Sequence, residues 1–351
     1  MDRHPTTTGY VRADGCDLYH EETGEGVPIL LIHPAGATAS TWGSVVDELA
    51  QIGRVITYDR RGYARSGGAA PHSMGPHTAD AAAVLEELAL DRAVVVGTSA
   101  GAAIAVDLAV RRPELVRVAV AHEFPWRFAR HLPGVRQVAA LAKVGSLAAR
   151  GRSSDAAEVL LKAAYSYRDG GSAWIAFPEE WRAAGRDNAR PALVDFVNSI
   201  RAYPVADDLR RVKVPVVCSY GTRSPESMFR LVRALAHVIP GAQLYGIEGA
   251  GHAAPFDATA NFVRMVAESI PSSTNRRFRT GSHARGTLPG ARPADADRSS
   301  RDDGGGRGGV TLPAREPRHE RHQPPGRRGL ALHVSASPSV GSPRCRSIRH
   351  G

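Results

Sequence analysis

A serine that could act as a nucleophile lies in the pentapeptide Gly97-Thr98-Ser99-Ala100-Gly101. The pentapeptide fits the pattern G-x-S-x-G, in which a sharp turn between a strand and a helix presents a serine hydroxyl. Small residues flank such a turn because the strand and the helix approach each other closely there. A serine hydroxyl is weakly nucleophilic at neutral pH, so this chemistry also requires a nearby general base.

The segments around Ser99 predict the strand and the helix that such a turn needs. A β-branched run at 94–96 precedes the pentapeptide, and an alanine-rich segment follows it. The same alternation continues along the chain, with apolar runs typical of strands buried on both faces at 28–32, 54–58, 116–121, 214–221 and 243–247. A hairpin is predicted within 9–27. This order predicts an α/β fold with helices on both faces of a mostly parallel, doubly wound sheet.

Changes in composition divide the chain. Residues 126–211 lack buried-strand runs, and glycines interrupt their helical patterns. We interpret them as a helical cap inserted between two parts of the core, at 1–125 and 212–271. Residues 272–351 lose all periodicity and are rich in Arg, Gly, Pro and Ser. Such a segment buries too little apolar surface to offset chain entropy, so we expect a disordered tail without function.

The net charge of +10 does not belong to the predicted core. Residues 271–351 contain 16 Arg, no Lys and 6 acidic residues, so the rest of the chain is balanced. We therefore expect no nucleic-acid partner for the core, although RNA binding through the Arg-rich tail stays an alternative. Three distant cysteines, no signal-peptide pattern and no apolar run of about 20 residues favour a cytoplasmic protein without a membrane segment.

Residues 9–270 resemble the α/β-hydrolase family. Four blocks carry the resemblance in the family's order: His33-Pro34-Ala35-Gly36 with Trp42, the segment 59–66, the turn around Ser99, and Gly249-Ala250-Gly251-His252. The resemblance implies that Ser99 is the nucleophile and His252 the general base. It also implies an oxyanion hole formed by the backbone N–H groups of Ala35 and Ala100. Pro34 stands where the family has glycine, but the donor is the residue that follows it.

The acid of the implied triad is less clear from the sequence. Most of the family has an aspartate after the strand at 214–221, where this chain has Ser224. A branch of the family places its acid one strand earlier, which corresponds to Glu123 here. Glu123 also follows a parallel strand, at the sheet edge where such sites form. We favour Glu123 over Glu226, and Asp257 is a third candidate.

The resemblance and the serine together predict a cofactor-free, metal-free serine hydrolase that forms an acyl-enzyme. An aspartate nucleophile, as in dehalogenases and epoxide hydrolases, is excluded by Ser99. We expect a small, apolar carboxylic ester or related acyl substrate, in a pocket that includes Trp126, Phe128 and Trp174. A C–C bond hydrolase and a cofactor-free haloperoxidase are alternatives with the same fold. A non-catalytic ligand-binding protein is the alternative of another class, suggested by Ser224.

Overall fold

An eight-stranded sheet forms the centre of the computed structural model, which describes residues 4–125, 135–200 and 206–270. The strands lie in the order β1-β2-β4-β3-β5-β6-β7-β8. Their bounds are β1 (Thr6–Ala13), β2 (Cys16–Thr23), β3 (Pro28–Ile32), β4 (Arg54–Tyr58), β5 (Ala93–Thr98), β6 (Val116–His122), β7 (Val216–Gly221) and β8 (Gln243–Ile247). The first two strands form an antiparallel hairpin, and β2 pairs antiparallel with β4. The remaining strands pair in parallel.

Helices cover both faces of the sheet. Helices of the core are α1 (Ser44–Leu49), α2 (Gly75–Glu87), α3 (Ala100–Arg111), α10 (Glu226–Val238), α11 (Ala254–Asp257) and α12 (Thr259–Ser269). Alternate residues of β3 enter separate cores, as the side-chain period of a strand requires. Leu30 and Ile32 pack with α2, α3 and α10, whereas Ile29 and Leu31 pack with α1 and α12. The predicted doubly wound α/β fold is therefore confirmed.

A set of helices lies between β6 and β7 in the chain. These helices are α4 (Val135–Ala149), α5 (Ser153–Ala164), α6 (Ala173–Ala176), α7 (Glu179–Asp187), α8 (Ala189–Ile200) and α9 (Ala206–Leu209). Helix α5 packs against α4, α7 and α8. Leu160 lies in an apolar cluster formed within these helices, whereas the apolar cluster around Leu161 also includes Ala253 and Phe256. The predicted tail at 272–351 lies outside the described residues, as do residues 126–134 and 201–205 of the predicted cap.

Among the helices of the described residues, none combines the length and the apolar character that a membrane crossing requires.

Candidate active site

Ser99 occupies a sharp turn between the central strand β5 and helix α3. Its backbone has φ 52° and ψ −117°, a left-handed conformation that is unfavourable for a residue with a side chain. The two flanking glycines are required by close packing. A Cβ on Gly97 would lie 2.1 Å from the Gly101 carbonyl oxygen, and a Cβ on Gly101 would lie 2.1 Å from the Ile32 oxygen. The backbones of β5, the turn and α3 thus pack in direct contact around Ser99.

His252 lies in the loop after β8, and hydrogen bonds hold the residue before it. The Gly251 N–H donates to Asp257 Oδ2 over 2.8 Å. The Gly251 oxygen lies 3.2 Å from Nε2 of His122, which must donate because a carbonyl only accepts. The His252 side chain itself is buried, and its ring centroid lies 5.4 Å from that of Tyr165 in the cap.

Glu123 is the carboxylate that contacts His252. It follows the last residue of β6, has a φ of 48°, and is fully buried. Its Oε2 lies 2.7 Å from Nδ1 of His252, and its Oε1 accepts the Gly221 N–H over 2.9 Å. With Nδ1 hydrogen-bonded to the carboxylate, Nε2 is the histidine nitrogen left for exchange of a proton with another group.

The charge state of Glu123 follows from these partners. Burial by itself would raise the pKa of this carboxyl, because a low dielectric disfavours the charged form. The hydrogen bond from His252 and the neighbouring His122 outweigh burial and lower the pKa of Glu123 below its ordinary value. Glu123 is therefore a carboxylate at neutral pH, as a group that stabilises an imidazolium must be.

The other two carboxylates that the sequence suggested lie elsewhere. Glu226 is exposed at the start of α10 and forms an ion pair with Arg230, with 3.9 Å between the charged atoms. Asp257 accepts the Gly251 N–H and, over 2.6 Å, a hydrogen bond from the Tyr167 hydroxyl. Neither makes a hydrogen bond to His252, so Glu123 is the candidate that the geometry favours.

The proposed oxyanion donors lie next to Ser99. Ala35, in the loop after β3, and Ala100, the first residue of α3, line the same cavity as Ser99, Glu123 and His252. The first N–H groups of a helix have no acceptor within the helix, so the Ala100 N–H suits a negatively charged oxygen. Both residues therefore lie beside Ser99, and their role as oxyanion donors stays a prediction.

The side chain of His33 shapes the loop that carries Ala35. Its Nδ1 lies 2.8 Å from the Pro34 oxygen, and its Nε2 accepts the Arg60 N–H over 3.0 Å. Burial, together with the nearby Arg60 guanidinium, lowers the pKa of His33 to about 3. The ring is therefore neutral, with its proton on Nδ1. Its two hydrogen bonds connect the loop that carries Ala35 to Arg60, in the segment after β4.

A buried ion pair between Arg60 and Asp195 was missed in the sequence. Arg60 Nη2 lies 2.6 Å from Asp195 Oδ2 and 3.2 Å from the Pro34 oxygen, and both side chains are fully buried. Burial opposes the charge on Asp195, but Arg60 and His77 hold its pKa well below the ordinary value. The pair connects cap helix α8 to the Ala35 loop. A carboxylate within the apolar pattern of α8 was the signal that could have indicated it.

His252 lines two cavities. The first, which we call the serine cavity, has a volume of about 130 Å³ and is lined by Ser99, Ala35 and Ala100 together with aliphatic side chains of the cap and of α10. The second, the aromatic cavity, has a volume of about 50 Å³. Trp174 lines the aromatic cavity, as do Trp42, Phe177, Trp181 and Phe256. The other predicted pocket residues, Trp126 and Phe128, lie outside the described residues.

Acidic, histidine and cysteine side chains do not cluster as a metal site would require: within 4–125, 135–200 and 206–270, no three of them are placed to hold an ion.

Comparison with known proteins identifies relatives of this architecture. Residues 29–265 match the model of the alpha/beta hydrolase family. The hydrolase YraK of Bacillus subtilis is 36% identical over 118 residues, which is 33% of this chain and 44% of YraK. A non-heme haloperoxidase of Rhodococcus erythropolis is 40% identical over 91 residues, or 25% of this chain and 34% of that protein. The chain thus spans less than half the length of these relatives.

A solved structure extends the similarity over the whole core. The structure described as Est816, an N-acyl homoserine lactone degrading enzyme, superimposes with a TM-score of 0.61 at 25% identity. The match covers 74% of this chain and 99% of Est816.

Proposed function

The chain belongs to the alpha/beta hydrolase family, and from this we propose that it is a serine hydrolase of small carboxylic esters or lactones. Ser99 would act as nucleophile, His252 as general base and Glu123 as the acid. The observation that carries the proposal is the 2.7 Å hydrogen bond between Glu123 Oε2 and His252 Nδ1, beside a cavity that Ser99 also lines.

Acylation begins with a proton transfer. His252 Nε2 takes the proton of the Ser99 hydroxyl as the oxygen attacks the substrate carbonyl carbon. The carbonyl oxygen becomes negatively charged and accepts hydrogen bonds from the N–H groups of Ala35 and Ala100. His252 then gives its proton to the leaving alcohol, which leaves an ester between Ser99 and the acyl group.

Deacylation repeats these steps with water. His252 removes a proton from water, the hydroxide attacks the acyl carbon, and the proton returns to Ser99 as the carboxylic acid departs. Glu123 stays charged throughout. It holds the His252 proton on Nδ1, so that Nε2 is free to accept, and it stabilises the imidazolium that forms in both half-reactions.

Several features support an ester or lactone as the substrate. The serine cavity is lined mostly by apolar side chains, which suits a neutral acyl group. YraK is named a hydrolase, and Est816 is described as degrading an N-acyl homoserine lactone. A serine nucleophile with two backbone N–H donors stabilises the tetrahedral intermediate of acyl transfer whatever the leaving group is.

Labelling and hydrolysis assays test the proposal. A fluorophosphonate should label the wild-type protein at Ser99, and p-nitrophenyl butyrate should be hydrolysed with an initial burst or steady turnover. Ser99→Ala should abolish both signals and leave the thermal unfolding temperature nearly unchanged. A folded wild-type protein that is neither labelled nor active would contradict the proposal and favour a ligand-binding role.

A haloperoxidase activity is the second candidate, because a non-heme haloperoxidase is 40% identical over 91 residues. In that reaction hydrogen peroxide would replace water as acceptor of the acyl group, and the resulting peroxyacid would oxidise a halide ion. Bromination of a dye in acetate, hydrogen peroxide and bromide, with Ser99→Ala as the blank, separates this candidate from simple hydrolysis.

A further inference from the structure

The two cavities differ in which part of the reaction they can serve. Ser99, Ala35 and Ala100 line the serine cavity, so the carbonyl group must bind there for its oxygen to reach the donors. Of the described residues that line the aromatic cavity, His252 belongs to the proposed machinery, whereas Ser99, Ala35 and Ala100 do not line it. His252 therefore lies between a place for the carbonyl and a second compartment.

We infer that the aromatic cavity binds the leaving group of the substrate and that the serine cavity binds its acyl chain. This inference rests on the proposed function, since the leaving oxygen must reach His252 to receive a proton. A substrate that spans both cavities places its acyl chain beside Ser99 and its leaving group beyond His252. Pro34 and Tyr165 line both cavities and mark the boundary that such a substrate crosses.

Aromatic side chains form much of the wall of the aromatic cavity. Phe177 packs edge-to-face against Tyr165, Trp174, Trp181 and Phe256, with ring centroids 5.0 to 6.0 Å apart. Aromatic rings prefer such edge-to-face arrangements, so the walls offer both edges and faces to another ring. The volume of about 50 Å³ limits the group to a small one.

The serine cavity has a different chemical character. Aliphatic side chains line it, among them Leu141, Leu160, Leu161, Met228 and Leu231. With about 130 Å³ it is also the larger of the two cavities. A flexible aliphatic acyl chain fills such a space well, because its burial is favourable and requires no hydrogen bond. The substrate class is thus an ester of an aliphatic acid with a small arylmethyl or phenolic alcohol.

A pair of esters that differ in composition by a single methylene group tests the orientation. Benzyl hexanoate carries the ring on the leaving group, whereas hexyl phenylacetate carries it on the acyl group. Both are unconjugated esters of primary alcohols, so their intrinsic reactivities are similar. We expect kcat/KM to be at least about tenfold higher for benzyl hexanoate, which corresponds to about 1.4 kcal/mol of transition-state binding.

Matched variants connect the preference to each cavity. Trp181 lines the aromatic cavity and Met228 the serine cavity, and both side chains are half-buried. Trp181→Leu should lower the ratio of kcat/KM for benzyl over methyl hexanoate about tenfold. Met228→Ala should instead lower the ratio for benzyl hexanoate over benzyl acetate. Fluorophosphonate titration counts the functional sites, so that a partly folded variant is not mistaken for a change in specificity.

Each outcome has a distinct meaning. Preference for benzyl hexanoate that weakens in Trp181→Leu supports the inference. Equal rates for both esters, or preference for hexyl phenylacetate, in a protein that fluorophosphonate labels at Ser99 would overturn it and leave the proposed function standing. Failure of labelling together with failure to hydrolyse every ester would overturn the proposed function itself.

Discussion

Nε2 of His122 donates a hydrogen bond to the carbonyl oxygen of Gly251 over 3.2 Å, so one buried histidine holds the loop that presents another. The same residue touches the other two parts of the site. Its backbone oxygen accepts the Ser99 N–H over 2.9 Å, and the next residue in the chain is Glu123. His122 is thus a positioning residue that joins the serine turn, the carboxylate and the His252 loop.

Loss of the His122 ring should slow catalysis more than it weakens substrate binding. His122→Phe removes the donor to Gly251 and should lower kcat about 10- to 100-fold, since a lost buried hydrogen bond costs about 1–3 kcal/mol. KM should change by no more than about twofold. His122→Gln, which retains a donor, should recover part of kcat. A lower unfolding temperature with unchanged kcat per labelled site would indicate a structural role only.

Replacement of the Glu123 carboxylate should lower kcat more than loss of the His122 ring does. Glu123→Gln leaves the shape intact but removes the charge that stabilises the His252 imidazolium and fixes its tautomer. We expect kcat to fall about 10³- to 10⁴-fold with little change in KM. Glu226→Gln is the matched control, and kcat should stay within about twofold because Glu226 is exposed and pairs with Arg230. If Glu123→Gln keeps more than a tenth of kcat, another group supplies the charge.

The ion pair between Arg60 and Asp195 should stabilise the protein measurably. Asp195→Asn leaves the buried Arg60 guanidinium without its counter-charge, and it weakens the hydrogen bond from the Tyr63 hydroxyl, which is 2.6 Å long. Breaking a buried pair in this way costs about 3–5 kcal/mol, which urea denaturation measures as a lower free energy of unfolding.

Asp155→Asn is the control for this measurement. It breaks the exposed ion pair with Arg152 and should cost less than about 1 kcal/mol. Equal effects of the two substitutions would show that the buried pair makes no special contribution.

Buried neutral histidines should make the protein less stable as the pH falls. Burial lowers the pKa of His33 to about 3 and that of His122 to about 4, and it also lowers the pKa of His77. In the unfolded chain these groups titrate near 6.5. Between about pH 6.5 and 4 the unfolded state therefore binds more protons, and acidification favours it.

The size of this pH effect can be measured. Within this window, each such histidine lowers the free energy of unfolding by up to about 1.4 kcal/mol for every unit by which the pH falls. Urea denaturation at pH 7.5, 6.5 and 5.5 should show the decline, and His122→Phe should make it shallower because one titrating group is gone. A free energy of unfolding that is constant from pH 7.5 to 5.5 would contradict the burial of these histidines as neutral groups.

The local elements could be predicted from the sequence because short-range rules determine them. Apolar runs predicted β3, β4 and β8 with the bounds that the structure has. The turn at Ser99 needs only glycines at the points of closest approach, and Gly97 and Gly101 stand there. The ends of some elements were less predictable, since the hairpin that the sequence predicted within 9–27 begins at Thr6.

Contacts across the fold were decided only by tertiary structure. Glu123 and His252 are 129 positions apart, and Arg60 and Asp195 are 135 apart, so no local pattern connects either pair. The sequence narrowed the acid to Glu123, Glu226 and Asp257, and the order of parallel strands brought Glu123 beside His252. The division of the pocket into two cavities likewise depends on how the cap packs over the sheet. Local steric requirements determine the turn at Ser99, whereas packing between segments distant in sequence determines that Glu123 and His252 lie together.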